Sequence, residues 1–396
     1  MIPMGLNTDD LTFLVGDPER LRQMSGTPAL PAFSERAVTF LSSLSRLLLR
    51  DKRSSVDVKS YAYWIRRASL EAAAREGDFQ NRLGRGVALH IAPSNVPVNF
   101  AVSMTSSLLA GNCTVVRVSG KPFPQVDLIC EAMNLLLGGE CAGMRPYVCV
   151  VRYEHSDEIT QELSALCDVR VIWGGDRTIE AIRRAPLPPR AVELAFADRY
   201  SIAVIEADAY LNSEPAEIAK GFYTDTYYTD QNACSSPRLV VWLGERVPEA
   251  RERFWGALEE VVRRDYPMQP IQAVDKYSAV CALGMSRPGV RYVSKDTLVV
   301  RAELDRLTAD VMDYKCGGGC FFEYAAQSLE EIVPVLGKRC QTVAVLGVDR
   351  ERVRELVFSN GVRGVDRIVP LGETMRLAFI WDGFQMVESM SRYVCG

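Results

Sequence analysis

From Gly86 onward, short apolar runs alternate with amphipathic stretches, and this alternation restricts the fold more than any other feature of the chain. Val87-Ala88-Leu89-His90-Ile91 is a short, mostly apolar run, as expected of a parallel strand covered on both faces. Val98 to Leu109 then has helical spacing and stops at Gly111. Cys113 to Val118 reads as the next strand, and Val126 to Leu137 as the next helix, closed by Gly138-Gly139. Tyr147 to Val151 and Val169 to Trp173 are further strands, separated by the helix Glu158 to Leu166. Strand and helix in strict turn predict an α/β fold built on a doubly wound parallel sheet. Such sheets bind ligands outside the carboxyl ends of their strands.

A second α/β series follows. Tyr200 to Glu206 is a strand, and Ala216 to Tyr227 is a helix that leads into Cys234. Leu239 to Leu243, Thr342 to Leu346 and Arg367 to Pro370 are strands; Glu249 to Arg264 and Arg350 to Phe358 are helices. The division between the two series is expected near Ala207. Pro267 to Leu283 shows no clear period. Before Gly84 the chain reads as helical, with one helix starting at Ser34 and running to Arg50 and another over Ser60 to Arg75.

The 396 residues suffice for two or three domains. A formal net charge of -4 argues against nucleic acid as a partner, because phosphate binding needs a basic footprint. Met1 to Asp10 lacks the basic and apolar regions of a signal peptide. The longest mostly apolar stretch, Gly86 to Val116, is interrupted by His90, Asn95, Asn99 and Asn112, which excludes a membrane span there. These features place the protein in the cytoplasm. The 11 cysteines are odd in number and scattered, so they are expected as reduced thiols, most of them small buried residues.

Against that background Cys234 is singled out by its setting, Asp230-Gln231-Asn232-Ala233-Cys234-Ser235-Ser236-Pro237. A polar turn before a strand gives a thiol the exposure a nucleophile needs; alone, the local sequence fits a buried structural cysteine better. Asn95, in Pro93-Ser94-Asn95-Val96-Pro97 after a strand, offers an amide that can donate to an oxyanion, or simply turns the chain. Arg117, Ser119 and Lys121 follow another strand with no acidic residue among them. Cations there suit a ribose phosphate and favour NADPH over NADH; a solvated pair of loop charges is the other reading. Gly174 and Gly175 precede a helix start, where backbone can approach a pyrophosphate. No Gly-x-Gly-x-x-Gly follows a strand. Glu193, in Ala191 to Phe196, could serve as a general base or be a surface carboxylate. Cys316-Gly317-Gly318-Gly319-Cys320 lacks the further ligands of a zinc site and reads as a glycine-rich turn, so no metal is expected.

Together, Pro93 to Pro97, Gly111-Asn112 with Thr114 to Arg117, and Cys234 resemble the aldehyde dehydrogenase superfamily. Tyr63 to Arg67, His90-Ile91 with Asn95-Val96-Pro97, Trp173 to Asp176, Asp230-Gln231 with Cys234 to Pro237, Gly364 to Pro370 and Trp381-Asp382-Gly383 resemble its acyl-CoA reductases of the bacterial bioluminescence (lux) operon. The resemblance spans about Tyr61 to the end. It implies an aldehyde-dehydrogenase-like fold with a helical region over 1–85 packing on the cofactor domain. An NADP-binding domain over 86–207 and a catalytic thiol domain over 208–372 would follow. Residues 373–396 would return to the cofactor domain or make an oligomer contact.

The implied reaction is reduction of an acyl-CoA or acyl-carrier thioester to an aldehyde, in a homo-oligomer. An acyl-activating or transferase enzyme would be the partner. Cys234 would attack the carbonyl, while Asn95 and the Cys234 N–H hold the oxyanion. Glu193 falls near the place of the general base in hydrolytic relatives, but Ala195 and Phe196 replace the glycines that flank it. Two rival readings follow: an NAD(P)-dependent aldehyde dehydrogenase releasing acid, with Glu193 as base, and an acyl-accepting subunit with little redox turnover.

Overall fold

The computed structural model describes residues 8, 10–287, 289–294, 296–315 and 317–395. The chain forms two compact units: Met1–Ala197 with Leu377–Gly396, and Asp198–Arg376.

The first unit is built on six strands: β1 (Thr12–Val15), β2 (Val87–Ile91), β3 (Cys113–Arg117), β4 (Val148–Arg152), β5 (Val169–Trp173) and β6 (Val192–Phe196). Their order is β1-β4-β3-β2-β5-β6, parallel throughout except for β1 at the edge. The chain winds outward from β2 through β3 and β4, then returns to the other side of β2 with β5 and β6. That reversal makes a topological switch point between β2 and its neighbours. Strands β2 and β5 are buried at every position, which explains their nearly unbroken apolar character.

Helix α1 (Glu35–Arg50) begins where Ser34 accepts a hydrogen bond from the Ala37 N–H, a cap that contributes about 1 kcal/mol. It buries Phe40, Leu41, Leu44 and Leu48. The expected helix over Ser60 to Arg75 is two helices, Val56–Trp64 and Arg67–Glu76. Arg66 turns extended between them, with its guanidinium 3.2 Å over the Tyr63 ring and Nε bonded to the Tyr63 carbonyl. The N-terminal region also contributes a strand, β1, which four-residue apolar spacing does not reveal. Helix α2 (Asn99–Leu109) follows β2. The turn after it needs Gly111: φ is +93° and a Cβ would lie 1.9 Å from the Leu30 carbonyl oxygen. Buried Asn112 accepts from the Arg85 and Gly86 N–H groups and donates to the Met390 carbonyl, tying the C-terminal segment into this unit.

The second unit holds β7 (Tyr200–Glu206), β8 (Pro237–Leu243), β9 (Arg291–Tyr292), β10 (Val300–Glu303), β11 (Cys320–Ala325), β12 (Cys340–Leu346) and β13 (Arg367–Pro370). Their order is β9-β10-β11-β8-β7-β12-β13, with only β9 antiparallel. Strand β7 lies between β8 and β12, so the division falls at Ala197 rather than near Ala207, and the return to the first unit comes at Leu377 rather than 373. Pro267 to Leu283, unassigned by period, is mostly helix α4 (Pro270–Ser286); apolar residues all round it hide its periodicity. Glu323 on β11 is fully buried and accepts from Arg251, Arg301 and the indoles of Trp242 and Trp255, a saturated network.

Candidate active site

Each unit presents part of the expected chemistry. In the first unit, the residues singled out in the sequence lie along the carboxyl ends of the central strands. Asn95 is in the loop after β2, Ser119 and Lys121 follow β3, and Gly174-Gly175 follow β5. Helix α3 (Asp176–Arg183) starts directly after Gly175, so its free N–H groups and dipole face that edge.

Arg117 ends β3 with its side chain committed within the fold. Nη2 donates to the Tyr153 carbonyl at 3.3 Å, and the guanidinium lies 5.3 Å from the Tyr153 ring centroid. Lys121 is exposed. A cation that sequence reading missed is Arg152, the last residue of β4: Nε donates to the Ser119 carbonyl at 3.1 Å, and Nη2 pairs with Asp127 Oδ1 at 3.9 Å. Its position was legible, because it ends the strand beside β3.

His90, in β2, is fully buried, and burial holds its imidazole at about 3, hence neutral. Its Nδ1 lies 2.6 Å from Ser103 Oγ, which also accepts from Trp173 Nε1 at 2.9 Å. That network fixes α2 against β2 and β5. Glu193 lies in β6, and both its oxygens are engaged: Oε2 by buried Arg170 at 2.6 Å and Oε1 by Arg183 at 2.7 Å. Such a carboxylate holds two arginines in place.

In the second unit Cys234 lies three residues before β8, at the amino end of that sheet rather than the carboxyl end. Nine described cysteines carry reduced thiols, and six of them are buried. Burial pushes Cys113, Cys149, Cys167 and Cys340 up to about 12, and Cys130 and Cys141 upward as well, so they remain thiols at neutral pH. Cys281 and Cys395 are exposed, and Cys234 is half-buried. Cys320 is disulfide-bonded, against the expectation of reduced thiols throughout. Cys316 lies outside the described residues.

The Cys234 loop is held on several sides. The Cys234 carbonyl accepts from Ser201 Oγ at 2.7 Å, and Ser235 Oγ lies 3.4 Å from Met375 Sδ. Arg238, four residues on, donates to the Arg199 carbonyl. Burial lowers the Arg238 pKa, and the Cys234 sulfur opposes this by favouring the charged guanidinium. Asp225, the last residue of the helix Pro215–Asp225 that precedes the loop, accepts from the Gly372 and Thr374 N–H groups, and burial raises its pKa to about 6. Among the described residues no group of three or more His, Cys, Asp or Glu could hold a metal, and no helix is long and apolar enough to cross a membrane.

Residues 17–393 match the family model described as acyl-CoA reductase (LuxC). A long-chain acyl-protein thioester reductase of Aliivibrio fischeri is 24% identical over 220 residues, 54% of this chain and 44% of that protein. This chain thus spans less than half of that relative. One of the same description from Photorhabdus laumondii is 22% identical over 380 residues, 91% of this chain and 74% of that protein. Among solved structures, an NAD-dependent benzaldehyde dehydrogenase from Corynebacterium glutamicum superposes with a TM-score of 0.64 at 12% identity, covering 98% of this chain and 94% of that one. The fold is therefore that of the aldehyde dehydrogenases.

Proposed function

The chain belongs to the LuxC acyl-CoA reductase family, and on that premise we propose that it reduces an acyl thioester to an aldehyde through a thioester on Cys234. The observation that carries this reading is the standing of Cys234 among the thiols. It is half-buried on a hydrogen-bonded loop, whereas burial suppresses six others.

In this reaction the Cys234 sulfur attacks the thioester carbonyl, and the carbonyl electrons move onto oxygen. Asn95 would supply a side-chain amide donor to that oxyanion, the role that the family resemblance gives it. Collapse expels the CoA or carrier thiolate and leaves the acyl group on Cys234. A reduced nicotinamide, when bound, would supply the hydride that this thioacyl carbon needs. The resulting thiohemiacetal releases aldehyde and returns the sulfur.

Gly174-Gly175, with the start of α3, suit the dinucleotide phosphates. Ser119 and Lys121, in a loop after β3 that carries no acidic residue, suit a ribose phosphate. This supports NADPH over NADH. Arg117, tied to Tyr153, shapes that edge instead of reaching outward. The ion pairs of Glu193 favour thioester reduction over acid release, because a base must have a free oxygen to take a proton from water. The protein would work in the cytoplasm as a homo-oligomer, receiving acyl groups from an acyl-activating or transferase enzyme.

The test is Cys234→Ala assayed with acyl-CoA and NADPH. Aldehyde formation should disappear while thermal unfolding stays cooperative at an unchanged temperature. Aldehyde formation at the parental rate would overturn the reading, and free acid as the product would favour the dehydrogenase.

A further inference from the structure

We infer that Gln231 is a positioning residue that sets the Cys234 loop, an assignment that rests on the reading of Cys234 as nucleophile.

Asp230 and Gln231 are consecutive non-glycine residues in the left-handed region, with φ of 52° and 57°. Side chains rarely adopt that conformation, and two in a row persist only where the surroundings enforce it. Here the enforcement comes from the Gln231 carboxamide, which is 2% exposed and makes four hydrogen bonds. Nε2 donates to the Pro237 carbonyl at 2.9 Å and to the Cys320 carbonyl at 3.0 Å. Oε1 accepts from the Gly319 N–H at 3.1 Å and the Cys320 N–H at 3.0 Å. The carboxamide is thus a side-chain rung between the amino ends of β8 and β11, where Pro237 has no N–H to offer.

What Gln231 grips is itself fixed. The Asp230 carbonyl accepts from the Gly318 N–H at 2.8 Å. Buried Lys276 donates to the Gly318 carbonyl at 2.6 Å from the other side. Gly319, at φ +92°, must be glycine, because a Cβ would lie 2.2 Å from the Tyr227 hydroxyl. The loop between Gln231 and Pro237 is pinned at both ends by one side chain, and Cys234 lies at its middle. Neither α-helix nor strand holds it, so removing the carboxamide loosens both ends of the loop while leaving the Ser201 bond to the Cys234 carbonyl and the thiol itself untouched.

Gln231→Met keeps the length of the side chain and removes all four bonds; Gln231→Glu keeps its shape. Two readouts separate positioning from mere stability. The first is iodoacetamide alkylation of Cys234, followed by peptide mass, which needs no assumption about the reaction. In folded Gln231→Met, alkylation should rise about fivefold or more as the half-buried thiol is released. The second is steady-state reduction of an acyl-CoA with NADPH. There kcat should fall about 100-fold with KM little changed, the cost of a misplaced reacting atom.

Gln231→Glu should recover rate as pH falls, because the protonated carboxyl again offers one donor and one acceptor. Unchanged alkylation in Gln231→Met and a flat pH response in Gln231→Glu would overturn the inference. If the parent protein shows no reductase activity with any acyl thioester, the functional reading fails, and the alkylation rates still decide the role of Gln231.

Discussion

The two sheets present their chemistry from opposite ends. In the first unit the loop of Asn95, the Ser119 and Lys121 loop and the Gly174-Gly175 turn all follow carboxyl ends of parallel strands. In the second unit Cys234 precedes β8, at the amino end of an equally parallel sheet. On the proposed reading, the rule that open α/β sheets bind at their carboxyl ends describes the first unit, where the start of α3 offers free N–H groups. It does not describe the second, where the thiol depends on a loop locked by side chains: Ser201 on the Cys234 carbonyl, and Gln231 across the amino ends of β8 and β11. A carboxyl-end site comes with the winding of the chain. An amino-end site has to be held by specific residues.

That contrast can be broken at either sheet. The largest effect is expected at Asn95. Asn95→Ala should lower kcat about 100- to 1000-fold with thermal stability unchanged, measured with an acyl-CoA and NADPH. A loss of less than fivefold would reduce Asn95 to a turn residue.

Next comes Asp225, which holds the Gly372–Thr374 backbone in the second unit. Folding raises its pKa from 3.8 to about 6. The folded state therefore binds its proton more tightly than the unfolded chain does. That advantage is complete below the ordinary carboxylate range and is lost as pH rises through about 6, by about 3 kcal/mol. Thermal unfolding followed from pH 4 to 7 should show this decline, and Asp225→Asn should remove it; parallel curves would contradict it.

Glu193→Gln leaves buried Arg170 without its anionic partner, so stability should fall by about 2 kcal/mol in chemical denaturation, with kcat of the folded enzyme unaltered. A large loss of kcat without loss of stability would make Glu193 a base after all. The smallest effect is at the exposed Lys121. Lys121→Ala should cut the preference for NADPH over NADH about tenfold, read as the ratio of the two kcat/KM values. An equal loss for both cofactors would remove Lys121 from phosphate recognition.

Most of the first sheet was legible because its strands are buried on both faces and its helices amphipathic, so the change of period marks each boundary. β1 escaped because an antiparallel edge strand of four residues has no such signature. Helix α4 escaped for the opposite reason, since its exposed face carries Ile271, Val274 and Met285, leaving no polar stripe to set the period.

For the site, a cysteine after a polar turn was visible, and so was an amide after a strand. Gln231 appeared only as one residue of a matching run. Its importance lies in long-range bonds to Gly319 and Cys320, 88 and 89 residues away, which no local pattern encodes. The occupied state of Glu193 was hidden likewise, because Arg170 meets it across neighbouring strands.

The central claim is that Cys234 carries the acyl group. Intact-protein mass spectrometry, after mixing the protein with acyl-CoAs and an acylated carrier protein of varied chain length, tests it directly. The account predicts one acyl adduct, localised to Cys234 by peptide mapping and absent in Cys234→Ala, that disappears on adding NADPH as aldehyde accumulates. No adduct from any donor, or an adduct on another cysteine that NADPH discharges, would contradict it.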